Sequence, residues 1–199
     1  MAVESEGSDS STEDRSISLA RANVLTLVFS LPLAAVLWIA YSRLHPDVPV
    51  AAQLGNLPAL VSLLLAVAVA VPLHEAIHAL GWSLFGRVPL RRVRFGIAAR
   101  TLNPYAHLPD AIPARAYRWG TALPGLTLGL LPYLAAMAAG SAWWMLFGLT
   151  LTLAAGGDAL VLWLLRGVPP QALVLDHPSR AGCLVISHQT PPLIPASNL

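Results

Sequence analysis

The sequence predicts an all-α membrane protein with about four transmembrane helices, and three observations lead to this fold class. First, 56% of the 199 residues are hydrophobic and only 11% are charged, whereas a soluble domain usually carries about 25% charged residues. Second, the apolar residues fall into four runs, each of roughly the 20 residues that cross a bilayer as a helix. Third, the arginines gather on alternate connections between these runs, as they do in multi-span proteins.

The four runs define the domain organisation. They are Ala22–Tyr41, Pro58–Leu80, Trp119–Ala139 and Ser141–Leu165. Residues 1–18 are acidic and serine-rich, which is typical of a disordered tail. Residues 19–166 are expected to form one membrane-embedded domain, followed by a cytoplasmic C-terminal tail at 167–199. The acidic start lacks the basic region of a signal peptide, so the first run is expected to stay in place as a membrane anchor.

The basic residues orient this bundle. All twelve are arginines, and eleven of them lie in the N-terminal tail, the second connection (residues 81–118) and the C-terminal tail, while the first connection holds Arg43 alone. Short cytoplasmic loops carry the excess of basic residues. The distribution therefore predicts that both termini and the second connection are cytoplasmic and that residues 43–57 face the other side.

The second connection has a pattern of its own. Apolar and basic residues alternate along Val88–Phe95, Gly96 follows, and a second extended stretch occupies Thr101–His107. Such alternation is typical of a half-buried strand. Two interpretations stay open: a short β-hairpin between helices 2 and 3 at the membrane surface, or a basic interfacial loop held by anionic lipid.

The second run carries the motif H-E-x-x-H at His74, Glu75 and His78. Positions i and i+4 share one face of a helix, so both imidazoles can bind one metal ion. The Glu75 carboxylate stands beside them, where it can take a proton from metal-activated water and pass it to a leaving amine. Zinc suits this chemistry because it binds imidazole and keeps a coordination position open for water. Ionisable residues in a transmembrane helix cost roughly 2.5–3.5 kcal/mol each, which favours a functional role over helix-end capping into water.

Two histidines and a water leave a zinc site one protein ligand short. Asp158 is the candidate for that ligand, because it is the acidic residue inside the fourth run, and Gly156 and Gly157 before it allow close helix approach. With both runs pointing inward, Asp158 lies about 10 Å before the end of its helix, and His74 and His78 lie about 9 and 3 Å before the end of theirs. The three side chains can therefore meet. The alternative is a protonated aspartate bonded to a neighbouring helix.

The small multi-span layout, the H-E-x-x-H on the second run and the Gly157-Asp158 pair on the last resemble a family of bacterial membrane proteins described as putative zincin peptidases. That family is more distantly similar to the site-2 proteases, which cleave substrates within the membrane. The resemblance covers residues 55–186 and includes the closing stretch Leu175–Pro178. It implies a bacterial cytoplasmic membrane as the location. It also implies zinc ligands at His74, His78 and Asp158 and a catalytic base at Glu75.

The remaining histidines and the single cysteine have less specific surroundings. His107 is a candidate substitute ligand or substrate contact, or else a solvated loop residue. His177 and His188 are predicted to be surface residues of the tail, and His45 belongs to the first connection, away from the proposed site. Cys183 cannot form an internal disulfide and is expected to be a small apolar residue.

These patterns favour a membrane-embedded zinc metalloprotease that hydrolyses membrane or membrane-proximal peptides with Zn²⁺ as its cofactor. Its expected partners are a membrane-protein or peptide substrate and the lipid bilayer, with no nucleic acid. The extended 88–107 region is expected to pair with an unwound substrate by strand addition. The alternative is a non-catalytic metal-binding scaffold or regulatory protein, and Glu75 discriminates the two, because a structural metal site has no use for an adjacent base. A transporter fits less well, since the four runs show no repeat.

Overall fold

The computed structural model describes residues 10–98 and 103–188. The helices are α1 (Leu19–Leu44), α2 (Val50–Gly55), α3 (Leu57–Gly86), α4 (Ala114–Pro124), α5 (Leu131–Ala139), α6 (Ala142–Ala154) and α7 (Gly156–Leu164). A π-helical segment, Gly125–Leu130, joins α4 to α5. The strands are β1 (Ser10–Ile17), β2 (Arg94–Ala98), β3 (Asn103–His107), β4 (Ile112–Pro113), β5 (Leu173–Asp176) and β6 (Ala181–His188).

Four helical segments of the described chain are long and apolar enough to cross a membrane, which confirms the predicted fold class. They are Leu19–Leu44, Leu57–Gly86, Ala114–Ala139 and Ala142–Leu164. Many of their large apolar side chains are exposed, among them Phe29 and Leu65. A contiguous apolar surface of this extent is unstable in water, so the molecule fits a membrane protein.

The second span, α3, is longer than hydropathy alone indicated. Asn56 caps its start by accepting a hydrogen bond from the Ala59 N–H at 3.0 Å, and the helix continues past Leu80, the predicted end, to Gly86. Helical hydrogen bonding does not depend on hydropathy, so the polar residues from His74 onward do not end the helix. The H-E-x-x-H motif is therefore well inside α3.

The third and fourth spans are interrupted where they lie against each other. Pro124 ends α4 and the π-helical segment follows, while Ala155 separates α6 from α7. A Cβ added to Gly125 would lie 2.9 Å from the Ala155 Cβ, which shows how closely the two breaks approach. As a result, Asp158 lies in the first turn of α7 instead of the middle of a continuous helix.

The strands form two antiparallel sheets within the described residues. One has four strands in the order β1-β6-β5-β4, and the other is the pair β2-β3. In the pair, Arg94 lies opposite His107 and Phe95 opposite Ala106. Of the two interpretations of the second connection, the structure therefore shows the β-hairpin.

The prediction of a disordered N-terminal tail is wrong for Ser10–Ile17, which form β1; residues 1–9 lie outside the described part. Strand β1 pairs along its whole length with β6, with Ser10 opposite His188 and Ile17 opposite Ala181. The pairing uses backbone groups, and a polar sequence is tolerated because β1 is an edge strand with little apolar surface to bury. Its partner is far away in sequence, so composition alone could not reveal the pairing.

This four-stranded sheet places three parts of the chain on one side of the helical bundle. Strand β1 comes from the N-terminal segment, β4 from the second connection, and β5 and β6 from the C-terminal segment. These are the segments that the arginine distribution groups together. The arginine distribution predicts that this side faces the cytoplasm.

A buried cluster lies between this sheet and the ends of the spans. It includes Ala79 and Trp82 of α3, Tyr117 of α4, and Val174 and Cys183 of the sheet. Burial raises the pKa of the Cys183 thiol to about 12, so the thiol stays protonated and apolar in character, as the sequence suggested.

Candidate metal centre

Three predicted site residues come together between α3 and α7. His74 and His78 are one turn apart on α3, and Asp158 reaches them from the first turn of α7. The His74 Nε2 lies 3.0 Å from Asp158 Oδ2, and the His78 Nε2 lies 3.2 Å from Asp158 Oδ1. All three ligand atoms lie within 4.8 Å of one another. The spacing i, i+4 explains the histidine pair, and the break at Ala155 explains how the aspartate reaches it.

The hydrogen bond of His78 determines which of its ring nitrogens is available to a ligand. Its Nδ1 lies 3.0 Å from the backbone oxygen of Gly120 on α4. A carbonyl only accepts, so Nδ1 must carry the proton. In the neutral ring Nε2 then presents a lone pair to the Asp158 carboxylate, and two acceptors facing each other repel unless a cation lies between them. The donor set therefore fits a bound cation, and an imidazole held by its second nitrogen is the usual arrangement around zinc.

The centre is largely enclosed by protein. His78 is 5% exposed, and the Asp158 side chain is 21% exposed. An unpaired aspartate in such an apolar setting is unfavourable, and His74 and His78 supply the two contacts that the Asp158 carboxylate makes here. Two imidazole nitrogens and one carboxylate oxygen match the three-ligand set of catalytic zinc sites, which leaves one position for water.

Two glycines bring α3 and α4 close enough for the hydrogen bond between His78 and the Gly120 oxygen to form. A Cβ added to Gly81 would lie 2.7 Å from the Gly120 Cα, so only glycine allows the helices to cross at this distance. Trp82 lies in the same crossing and stacks on His78, with ring centroids 5.2 Å apart. Tyr117 also stacks on Trp82, with ring centroids 5.6 Å apart. The ring of His78 is therefore held by packing as well as by Gly120.

The predicted base, Glu75, contacts the β-hairpin. Its Oε2 accepts a hydrogen bond of 2.7 Å from the Ala106 N–H of β3. One N–H cannot serve both this bond and the ladder to β2, so the outer edge of β3 faces Glu75. The hairpin is thus positioned against the H-E-x-x-H helix, as strand β3 packs on α3.

His107, the neighbour of Ala106, lies apart from the three-residue cluster. Its Nδ1 lies 2.7 Å from Asp176 Oδ2, and the Tyr117 hydroxyl donates to Asp176 Oδ1 at 2.8 Å. The hydrogen bond to Asp176 raises the pKa of His107, in opposition to burial and to Arg94. The structure therefore places His107 in a network with Asp176, and not beside the metal cluster as a substitute ligand.

His177 and His45 have hydrogen-bond partners outside the three-residue cluster. The His177 Nδ1 accepts hydrogen bonds from the N–H groups of Ser179 and Arg180, which makes it part of a turn in the C-terminal segment. His45 donates to the Met137 oxygen at 2.8 Å through Nε2, away from the centre. The side chain of His188 lies outside the described residues.

Sequence reasoning missed several residues that support the centre. Trp82 follows His78 by four positions, and that spacing was a usable signal for a third ring on the same face of α3. Gly120 acts through its backbone oxygen, which no side-chain motif can reveal. Tyr117 and Asp176 contribute through contacts between elements that are distant in sequence.

Comparison with known proteins gives one finding. A family model described as "Putative zincin peptidase" matches residues 67–173, which is more than half of the chain and includes His74, Glu75, His78 and Asp158. No curated protein and no solved structure matches the chain.

Proposed function

This chain belongs to the putative zincin peptidase family, and we propose that it is a membrane-embedded zinc metalloprotease that cleaves membrane or membrane-proximal peptides. The observation that carries the proposal is the convergence of two imidazole nitrogens and one carboxylate within 4.8 Å, next to a glutamate one residue after the first histidine. The family implies a metallopeptidase. The position of the centre within apolar helices supports the narrower proposal that its substrates lie in or at the membrane.

In this proposal His74, His78 and Asp158 hold the zinc. When bound, zinc supplies Lewis-acid activation of a water molecule and polarisation of the peptide carbonyl. The protein's own contribution is orientation: Gly120 fixes the proton of His78 on Nδ1, and Trp82 packs against the ring. Both contacts keep Nε2 aimed at the centre before any ion binds.

Glu75 is proposed as the general acid and base. It takes a proton as water attacks the peptide carbonyl and returns that proton to the leaving nitrogen. The Ala106 N–H now bonded to its Oε2 holds the carboxylate in the region where the hairpin meets α3. A substrate carbonyl competing for the Ala106 N–H would release Glu75 for proton transfer.

The outer edge of β3 is proposed to receive the substrate by strand addition. Backbone pairing with an edge strand requires an extended peptide, and extension exposes the scissile bond that a helix hides. The support is geometric: β3 pairs with β2 on one edge, and the N–H of Ala106 points from the other edge to Glu75. A strand added there would pass beside the residue proposed to handle the proton.

The test separates Glu75 from the metal ligands. Glu75→Gln keeps the side-chain shape but cannot accept the proton, so we expect zinc content and folding close to wild type and a loss of activity of about 10²–10⁴-fold. In cells, short membrane proteins that are substrates should accumulate in Glu75→Gln and equally in His74→Ala, as measured by quantitative membrane proteomics.

A different result would support the non-catalytic scaffold or regulatory protein. If Glu75→Gln matches wild type for every membrane protein while His74→Ala does not, the metal centre is structural and the chain is a scaffold or regulator. Glu13→Gln is the matched control, because Glu13 lies on β1 and pairs with Arg15, far along the chain from the motif.

A further inference from the structure

Two arginines at the ends of neighbouring spans have no carboxylate partner among residues 10–98 and 103–188. Arg87 follows the last residue of α3, and Arg115 is the second residue of α4. Two other arginines of the second connection, Arg92 and Arg118, already have partners. Arg92 pairs with Asp110, and Arg118 donates to the backbone oxygens of Leu165 and Val168 at 2.6 Å.

Arg87 and Arg115 line the same cavity, which has a volume of about 420 Å³. The walls below the arginines are apolar and are formed by Leu84 and Phe85 of α3 and Trp119 of α4. Leu84 is 66% exposed and Trp119 57% exposed, so the apolar walls continue into the lipid-facing surface of the spans.

The cavity therefore has two chemically different ends. The guanidinium end lies where the two spans finish, and the headgroup layer of a bilayer begins where apolar spans end. The apolar end lies on the spans themselves, and the rings of Phe85 and Trp119 are close to each other, with centroids 6.3 Å apart. Tryptophan is enriched at membrane–water interfaces, where its ring contacts both apolar and polar surroundings.

The backbone conformation of Arg87 is also unusual. It closes α3 in the left-handed conformation with φ 55°, a position where glycine is the usual residue because it has no Cβ. An arginine at such a position is under mild strain. A role of the Arg87 side chain in the cavity would explain why arginine, and not glycine, occupies this position.

We propose that this cavity binds the headgroup of an anionic phospholipid, with Arg87 and Arg115 holding the phosphate and Leu84, Phe85 and Trp119 contacting the acyl chains. Guanidinium groups form paired hydrogen bonds with phosphate oxygens, and basic clusters next to a span attract anionic lipids. A zwitterionic lipid brings its own ammonium group, which repels the two arginines, so the site discriminates by net headgroup charge.

The lipid would join the end of α3 to the start of α4. These two helices also provide the imidazoles and the Gly120 oxygen of the metal centre. The site does not depend on the proposed peptidase activity, because its residues are separate from His74, Glu75, His78 and Asp158.

The experiment uses the full-length protein in non-ionic detergent with added phosphatidylglycerol or phosphatidylcholine. Native mass spectrometry counts the lipid retained, and a thermal scan measures the unfolding midpoint. Wild type should retain phosphatidylglycerol and unfold at a higher temperature with it than with phosphatidylcholine. Arg87→Gln and Arg115→Gln should each weaken retention by about tenfold, as expected for loss of one charge-assisted contact, and the double variant should abolish it.

Arg91→Gln is the matched control, since Arg91 is an exposed arginine of the same connection that does not line the cavity. An equal loss of retention in Arg91→Gln would mean diffuse charge attraction and would overturn the site. A midpoint shift with inorganic phosphate as large as that with phosphatidylglycerol would overturn the lipid assignment in favour of a free anion. If the glutamine variants do not fold, Arg87→Lys and Arg115→Lys keep the charge without the paired geometry, and unchanged retention in both would refute the proposed contacts.

Discussion

At the scale of single residues, the most important feature is that the two ring nitrogens of His78 have different partners. His78 uses Nδ1 to donate to Gly120 and leaves Nε2 for the centre. Asp158 offers its two oxygens to two different histidines, so one carboxylate organises both rings. The identity of the histidines, the glutamate and the aspartate was predictable from the sequence. The backbone oxygen that orients His78 was not, because any residue supplies such an oxygen.

The metal content of single-residue variants tests the ligand set. Purified wild type is expected to hold about one zinc per chain, and His74→Ala or His78→Ala should lose it, because two protein ligands hold a catalytic zinc far less well than three. Asp158→Ala should retain only a small fraction. Zinc per chain is measured by elemental mass spectrometry, with helical content checked by circular dichroism.

His45→Ala is the control for these variants, since His45 donates to the Met137 oxygen away from the centre and should keep full zinc. Full retention of zinc in Asp158→Ala would rule out that aspartate as the third ligand. His107 would not be its natural replacement, because its Nδ1 is already paired with Asp176.

At the scale of elements, Asp176 joins three parts of the chain. It belongs to β5, and its two oxygens contact His107 of β3 and Tyr117 of α4. Strand β3 in turn contacts Glu75 through Ala106, and Tyr117 stacks on the tryptophan beneath His78. The C-terminal strands therefore contact both the strand that bonds to Glu75 and the ring that stacks on Trp82, although they lie more than ten residues beyond Asp158 in sequence.

The ion pair of His107 and Asp176 predicts a pH dependence of the hairpin. The pKa of His107 is raised. The ion pair therefore stabilises the hairpin fully below the ordinary histidine pKa, and this stabilisation is lost as the pH rises through the raised value. The groups that face His107 are Asp176, which favours its charge, and Arg94, which opposes it. The protection of β3 amides against hydrogen exchange, corrected for intrinsic rates, should fall over this range.

Asp176→Asn should lower that protection by a few-fold to about tenfold, the effect of one partly exposed charge-assisted hydrogen bond, and should flatten its pH dependence. Asp110→Asn breaks the exposed pair with Arg92 and serves as the control. A pH dependence that persists unchanged in Asp176→Asn would assign it to another group.

At the scale of the whole molecule, the four-stranded sheet determines which segments lie on the same side of the helical bundle. Strands from the N-terminal segment, the second connection and the C-terminal segment pair with one another, so an even number of membrane crossings separates them. Eleven of the twelve arginines occur in these three segments or at the span ends that border them. Pairing and charge are independent observations, and they divide the chain in the same way.

Reporter fusions test the absolute orientation. Fusions at the N-terminus, within residues 81–118 and at the C-terminus should all report the cytoplasm, because cytoplasmic loops hold the basic residues. A fusion within 43–57 should report the opposite side. A cytoplasmic signal from 43–57, or an external one from 81–118, would reverse the orientation without changing the relative arrangement of the sheet.

Local chemistry allowed the sequence by itself to determine the membrane class, the four spans and the residues of the candidate centre. Insertion of a long apolar run into a bilayer depends on the composition of that run alone. The spacing of His74 and His78 is fixed by the helix that contains them. The approximate depth of Asp158 followed from the same helical rise. These features need no knowledge of distant contacts.

Only the tertiary structure decided how the centre is supported. The pairing of β1 with β6, the contact of Glu75 with Ala106 and the bonds of Asp176 each join positions that are remote in sequence. Such contacts depend on backbone groups and on chain topology, which leave little trace in composition or periodicity. A polar strand such as Ser10–Ile17 therefore resembles a disordered tail until its partner strand is placed beside it.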